Sequence, residues 1–144
     1  MDKFSQILKE LCKENNITIK ELSKITGITD SLLYKYANQK TSPTIDNIVK
    51  LANYFNCSID YMLGDDSFNY GFNQTYNKSL FYNRFKDLLK KYNLKSSNIS
   101  NKLQISKSTQ YCWKNGTMPY LDTLVKIAKY FDVSVDYLIG RSDS

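Results

Sequence analysis

The sequence predicts an all-α protein made of two tandem copies of one five-helix domain, and three observations support this. Residues 45–64, IDNIVKLANYFNCSIDYMLG, return as residues 121–140, LDTLVKIAKYFDVSVDYLIG, at a constant offset of 76. Apolar residues recur at helical spacing, and no segment shows the strict alternation of a half-buried strand. A period of this length, repeated only twice, is typical of two separate domains and not of a solenoid.

The first helix of each copy is predicted by an apolar face. In copy 1 this face falls at positions i, i+3, i+4, i+7 and i+8, which lie on one side of a helix. It comprises Phe4, Ile7, Leu8, Leu11 and Cys12. Copy 2 repeats the face with Phe81, Phe85, Leu88, Leu89 and Tyr92. Each copy is therefore expected to begin with an amphipathic helix.

The second helix of copy 1 is predicted by its two ends. Thr18, with Glu21 three residues later, has the pattern of a capping box, in which each side chain accepts a backbone N–H of the other residue. The helix then runs through Leu22 and Ile25 to Gly27. Gly27 is expected to end it, because glycine adopts a positive φ without strain.

The third helix completes a helix-turn-helix. Thr29 is its predicted cap, and the helix begins at Asp30 and ends near Asn38. Ile28 is expected to plug the crevice between the second and third helices, and Leu33 to face inward. The outer face of the third helix is then free to lie in a DNA major groove, with its N-terminal end towards the bases.

The fourth and fifth helices follow Pro43. Thr44 is the predicted cap of the fourth helix, and Ser58 is the predicted cap of a short fifth helix that Gly64 closes. The core face of the fourth helix is expected to comprise Ile45, Ile48, Leu51, Ala52 and Phe55.

Copy 2 departs from copy 1 in its helix-turn-helix. Lys95 stands at the N-cap of the second helix, Gln104 at the turn glycine and Gln110 at the inward leucine, and the loop before Pro119 is one residue shorter. A lysine cannot cap a helix as threonine does. Gln104 either adopts a left-handed conformation or belongs to a differently shaped turn. The motif of copy 2 is therefore expected to be looser than that of copy 1.

Composition argues against catalysis. The chain has no histidine, which removes the usual general base and metal ligand, and its five glycines form no phosphate-binding loop. Its three cysteines are unclustered, so buried or inert thiols are expected instead of disulfides or a zinc site. We therefore expect no enzyme activity, no catalytic residue, no metal and no cofactor.

The formal net charge of +6 is unevenly distributed. Residues 1–66 hold eight Lys and Arg against nine Asp and Glu, whereas residues 79–144 hold eleven against five. A basic excess suggests a polyanionic partner. No apolar run is long enough to span a bilayer and the N-terminus lacks a signal-peptide core, so a cytoplasmic protein without a membrane partner is expected.

Two sets of motifs carry a family resemblance. Copy 1 contains ITIKELSKITGITDSLLYKY, then N-x-K-x-x-P and the tail SIDYMLG, and copy 2 contains NKLQISKST, W-K-N-G-x-x-P and DVSVDYLIG. Both copies resemble the phage-repressor (Cro/C1, or XRE) family of helix-turn-helix proteins, and together they cover all but the linker and the termini. The resemblance implies two lambda-repressor-like DNA-binding domains.

By this resemblance, the start of the third helix reaches base edges and the loop after it reaches phosphates. In copy 1 the expected base contacts are Asp30, Ser31, Tyr34 and Lys35. The expected phosphate contacts are Asn38, Lys40 and Thr41, together with Thr18 at the start of the second helix. Asp30 stays open between a contact to cytosine and a carboxylate that only stabilises its helix.

The DNA-binding residues expected in copy 2 are the matching positions. They are Lys107, Ser108, Thr109, Tyr111, Lys114, Asn115 and Thr117. Because this motif is less regular, the charge of copy 2 is expected to serve phosphates more than base reading. Trp113, which matches Tyr36, is expected to pack in the core and towards the dimer side, and not to stack on a base.

The predicted domain boundaries follow the repeat. Residues 1–64 form the first domain, residues 65–78 an aromatic-containing linker, and residues 79–141 the second domain. Several aromatics of the linker are expected to lie on one or both domains, because leaving them in water is costly. Any dimer surface is expected on the fourth and fifth helices, near Tyr61, Met62, Tyr137 and Leu138.

These observations predict a sequence-specific DNA-binding transcriptional regulator, and a repressor of bacterial or phage origin in particular. Its partner would be double-stranded DNA with repeated half-sites, on which the protein is nucleoid-associated. A homodimer and a protein regulator stay open as further partners. The alternative is a protein-interaction module of the antitoxin or anti-repressor type, in which one copy binds a protein.

Overall fold

The computed structural model describes residues 2–69 and 71–143, and the chain divides into two compact units, residues 1–70 and 71–144. Within the described residues there are ten α-helices and two short 3₁₀ helices, and the one β-type contact is an isolated bridge between Phe72 and Ser142. The expected all-α fold is therefore confirmed. None of the helices in the described ranges is long and apolar enough to cross a membrane.

Unit 1 consists of five α-helices, and four of them start at a residue whose side chain caps them. The helices are α1 (Asp2–Glu14), α2 (Ile19–Thr26), α3 (Asp30–Ala37), α4 (Ile45–Phe55) and α5 (Ile59–Met62). The side chains of Thr18, Thr29, Thr44 and Ser58 each accept a backbone N–H from the first turn. Each cap contributes about 1 kcal/mol, because that donor has no partner inside the helix.

The core of unit 1 fixes the position of α3 through Tyr36. The Tyr36 ring is buried and packs edge-to-face on Phe4, with 5.7 Å between ring centroids. Its hydroxyl accepts a hydrogen bond from Asn47 Nδ2 at 2.9 Å, and its carbonyl accepts one from Ser5 Oγ at 2.5 Å. One residue of α3 is thus joined to α1 and α4, which orients the whole helix.

Unit 2 repeats the five helices. They are α6 (Phe81–Lys91), α7 (Ser96–Leu103), α8 (Lys107–Lys114), α9 (Leu121–Phe131) and α10 (Val135–Leu138). Trp113 is 2% exposed and packs edge-to-face on Phe81 and Phe85, with 5.4 Å between centroids in both pairs. The prediction that this tryptophan belongs to the core is confirmed, and it holds α8 against α6.

The three substitutions in the motif of copy 2 have different structural outcomes. Lys95 caps α7 with no side-chain hydrogen bond, and only Asn98 Oδ1 accepts the Lys95 N–H, at 2.7 Å. Gln104 takes the left-handed conformation at φ 59°, so the turn keeps its shape at the cost of backbone strain. Gln110 is buried where Leu33 is buried in unit 1.

Parts of the segment predicted as a linker pack within each unit. In unit 1, Asn69 Oδ1 accepts the backbone N–H of Ser58 at 2.9 Å. In unit 2, the backbone N–H of Asn73 donates to Arg141 O at 2.6 Å, and the guanidinium carbon of Arg141 lies 4.8 Å from the centroid of the Phe72 ring. Tyr76 is half-buried, the side chain of Phe68 is not described, and Tyr70 lies outside the described residues.

The expected dimer surface is wrong in two of its four residues. Met62 and Leu138 are 0% exposed, because each follows the inward-facing first residue of a one-turn helix by three positions and so shares its face. Tyr61 and Tyr137 are half-buried on the neighbouring face. The two apolar side chains therefore belong to the core of their own units.

Candidate nucleic-acid interface

The helix-turn-helix of unit 1 consists of α2, the turn at Gly27 and α3. Its capping box is complete: Thr18 Oγ1 accepts the Glu21 N–H at 3.1 Å, and Glu21 Oε1 accepts the Thr18 N–H at 3.2 Å. Gly27 has φ 77°, a conformation that favours glycine, and Ile28 is 3% exposed between the two helices. The local geometry expected from the sequence is therefore present.

One face of α3 is buried and the opposite face is open. Leu33, Tyr36 and Ala37 face the core, while Tyr34 is 46% exposed. We use the name outward stripe for the residues that lie opposite the core, one helical turn apart. The outward stripe of α3 comprises Ser31, Lys35 and Asn38, of which Asn38 directly follows the helix, and all three are exposed. A hydroxyl, an ammonium and an amide on one open stripe are groups that hydrogen-bond to base edges and phosphates.

Asp30 lies at the first turn of α3 and interacts with its own helix. Its Oδ1 accepts the backbone N–H of Ser31 at 2.8 Å. A carboxylate at this end also complements the partial positive charge of the helix N-terminus. Of the two roles left open for Asp30, the observed hydrogen bond matches the helix-stabilising one.

The residues expected to contact phosphates are exposed near the two ends of the motif. Thr18 precedes α2, but its hydroxyl already donates to Glu21 Oε1 at 2.9 Å. Lys40 and Thr41 are exposed in the loop after α3, and the Lys40 N–H donates to Lys35 O at 2.8 Å. This bond keeps the start of the loop, and with it the backbone of Lys40, next to the last turn of α3.

In unit 2, the residues expected to bind DNA lie on α8 and in the loop that follows it. The exposed set comprises Lys107, Ser108, Thr109, Tyr111, Lys114, Asn115 and Thr117. Tyr111 is 65% exposed. The outward stripe of α8 comprises Ser108, Cys112 and Asn115. A buried or inert thiol was expected at Cys112. The thiol is exposed because this position of the helix faces away from the core.

Gln110 attaches α8 to α7 and to the turn. The residue is 4% exposed. Its Nε2 donates to Ser96 O at 3.2 Å, Ser100 Oγ at 3.1 Å and Ile105 O at 3.2 Å. Its Oε1 is buried with no hydrogen-bond partner in the described structure. Two backbone carbonyls require the amide nitrogen on their side, so this orientation of the amide is determined.

The sequence did not reveal a depression between α6 and α8. Its volume is about 220 Å³, and its charged lining residues are Lys86, Lys107 and Lys114. Tyr82 and Tyr111 also line it. Lys86 was not among the residues predicted to bind DNA because it lies on the first helix of its copy, and only the packing of α6 against α8 brings it next to the motif. We call this depression the lysine notch.

The described residues contain no group of three or more Cys, Asp or Glu that could hold a metal ion. Cys12 and Cys57 are buried, Cys112 is exposed, and none of the three is joined in a disulfide bond. Burial raises the pKa of the Cys12 thiol above its usual value of 9.0.

Comparison with known proteins matches both motifs. A family model described as "Helix-turn-helix" matches residues 8–62, and a second, described as "Helix-turn-helix domain", matches residues 82–143. No solved structure matches the chain.

Three similar proteins are bacterial. An uncharacterized HTH-type transcriptional regulator of Rickettsia prowazekii is 34% identical over 42% of this chain and 71% of its own length. One of Rickettsia conorii is 34% identical over 42% of this chain and 60% of its own length. The uncharacterized HTH-type transcriptional regulator YobD of Bacillus subtilis is 33% identical over 42% of this chain and 54% of its own length. The chain therefore belongs to the helix-turn-helix family and carries two such domains in tandem, the first of them of Cro/C1 (XRE) type.

Proposed function

We propose that this protein is a sequence-specific DNA-binding transcriptional repressor, which acts by occupying a promoter and not by catalysis. The observation that carries the proposal is the outward stripe of α3. It is exposed, polar and cationic, and it lies on a helix whose other face is fixed by the core. The names of the bacterial relatives, which are called transcriptional regulators, support the same class of function.

The geometry of unit 1 supports one binding mode in particular. With α3 in the major groove, Lys35 donates to guanine O6 or N7, and Ser31 and Tyr34 contact neighbouring base edges. Asn38, Lys40 and Thr41 then lie along the phosphates and set the register of the helix without reading the sequence. Thr18 places the start of α2, with its free backbone N–H groups, near another phosphate.

The expected operator offers each chain two neighbouring half-sites, one for each unit, and the sequences of the two are not required to match. Two motifs in one chain suit two neighbouring half-sites, which lie ~34 Å apart when they are one helical turn from each other. DNA occupied by the protein excludes RNA polymerase, and transcription from the promoter is repressed for this reason. A homodimer would contact four half-sites on the same face of the DNA.

The proposal is tested by selecting duplexes from a randomised pool with the full chain. We expect one enriched sequence, bound with Kd in the range ~10⁻⁸–10⁻¹¹ M at ~150 mM salt, and bound at least ~10³ times more weakly when scrambled. The affinity should fall steeply with rising salt, because Lys–phosphate contacts release counterions.

Equal affinity for the enriched and scrambled duplexes would refute sequence-specific regulation. Binding of a protein partner with little salt dependence, and no binding of any duplex, would instead favour the interaction-module alternative. Insertion of the enriched duplex into a reporter promoter then tests repression. Reporter expression that the protein leaves unchanged would refute the assignment as a repressor.

A further inference from the structure

The two units differ strongly in charge. Unit 1 holds eight Lys and Arg against nine Asp and Glu, whereas unit 2 holds twelve against five. A net −1 surface gives no long-range attraction to DNA, and a net +7 surface gives a strong one. The folds of the units are alike, so the difference lies in which surface positions carry the charges.

Unit 2 has no cation at the position best placed for base reading. The outward stripes of α3 and α8 both begin with serine and end with asparagine, but Cys112 stands where α3 has Lys35. A thiol is a weak donor, while an ammonium donates strongly to guanine. The outward stripe of α8 is therefore a poorer reader of bases than that of α3.

The hydroxyl groups at the start of α8 are also occupied. Ser106 Oγ accepts the Thr109 N–H at 3.1 Å as the cap of the helix. The same oxygen lies 3.1 Å from Ser108 Oγ and 2.8 Å from Thr109 Oγ1. These hydroxyls bond to one another, which leaves them fewer free hydrogen-bonding groups for base edges.

On the flank of α8 that faces α6, unit 2 instead carries cations that unit 1 lacks. Lys107 and Lys114 lie two helical turns apart on this flank and line the lysine notch with Lys86. The matching positions of α3 are Asp30, an acid, and Ala37, which is buried. These lysines lie on the side of the helix and not on its outward stripe. With α8 in a major groove, they would face the groove wall, where the phosphates are.

We propose that the two units divide DNA recognition between them. Unit 1 reads the bases through the outward stripe of α3. Unit 2 holds backbone phosphates of any sequence through the lysine notch, and supplies most of the electrostatic affinity. The inference rests on the proposed function and assigns to each unit a part of it.

The test uses the full chain, with the enriched duplex and its scrambled form as probes. The notch variant combines Lys86→Gln, Lys107→Gln and Lys114→Gln. Its control combines Lys102→Gln, Lys126→Gln and Lys129→Gln, which remove the same charge from exposed lysines of unit 2 that do not line the notch. All six positions are exposed, and thermal melting followed by circular dichroism verifies that each variant is folded.

We expect the notch variant to weaken both probes by the same factor. The slope of log K against log salt should become shallower by about 2.7, since each lost phosphate contact removes about 0.9. The control should change the slope by less than about 1. Lys35→Ala should behave in the opposite way and lower the preference for the enriched duplex by about 5- to 150-fold.

A further variant tests the outward stripe of α8. Cys112→Ser should leave the preference for the enriched duplex unchanged. A large loss of preference in this variant would overturn the division, and so would a notch variant that weakens only the enriched duplex. A notch variant with an unchanged salt slope would also overturn it. If the unmodified chain shows no preference, the proposed function itself fails, which is a separate result.

Discussion

Arg141 is the largest side chain that is fully buried in the described part of the chain. Its Nη1 donates to Asp136 Oδ1 at 2.7 Å, and both side chains are almost completely enclosed. Removing one member of such a pair leaves a buried charge without its counterion, which costs far more than the pair contributes.

Arg141→Ala is therefore expected to destabilise unit 2 by about 3–5 kcal/mol. Urea unfolding followed by Trp113 fluorescence measures it, because this tryptophan is the only one in the chain and lies in the core of unit 2. The double variant Arg141→Met with Asp136→Asn removes both charges and should be less destabilised than Arg141→Ala. Equal loss in the two variants would show that burial of the charge is not the cause.

The thiols are expected to differ in reactivity because they differ in burial. The thiolate is the reactive form, and a pKa raised by burial lowers its fraction at any given pH. At pH 8, iodoacetamide should therefore modify the exposed Cys112 well before Cys12, as measured by mass spectrometry of the peptides. Labelling of Cys12 should increase as the pH rises above 9.0. Equal rates at pH 8 would contradict the burial of Cys12.

At the scale of elements, the two helix-turn-helix turns are a matched pair. Gly27 and Gln104 both take the left-handed conformation, at φ 77° and φ 59°. A Cβ on Gly27 would meet no atom within 4 Å, so its substitution tests backbone strain without a steric clash.

Gly27→Ala should destabilise unit 1 by about 1–2 kcal/mol, because an L-residue is strained in this conformation. Gln104→Gly should stabilise unit 2 by up to about 1 kcal/mol, because it removes the same strain. Differential scanning calorimetry of both variants measures the pair. The two variants are expected to change the free energy of unfolding in opposite directions. A loss of stability in Gln104→Gly would show that the hydrogen bond from Gln104 Nε2 to Asn101 O stabilises unit 2 by more than the backbone strain destabilises it.

Most elements were predictable from local chemistry. The caps Thr29, Thr44 and Ser58 accept the N–H groups expected of them, and Gly27 ends α2. The C-terminal end of α6 was less well predicted. Tyr92 was expected on the apolar face of this helix, but this residue follows the helix and is 47% exposed. An apolar period does not mark the last residue of a helix when that residue has a polar end that water can solvate.

At the scale of the whole molecule, the two units are separately compact. If each contacts DNA through its own surface, changes in one unit should not alter the energetic effect of changes in the other. Lys35→Ala combined with the notch variant should therefore change the binding free energy by the sum of the separate effects, within about 0.5 kcal/mol. Titration of the enriched duplex measures this. A large interaction energy would mean that the two surfaces bind one shared stretch of DNA.

The sequence by itself determined the repeat, the all-α fold and the motif residues of α3 and α8. These depend on spacing and on caps that act within a few residues, so they can be read along the chain. The approach of Lys86 to Lys107 and Lys114, the burial of Met62 and Leu138, and the Arg141–Asp136 pair were decided only by the tertiary structure. Each depends on which helix faces pack together, and no local pattern encodes the distance between side chains on different helices.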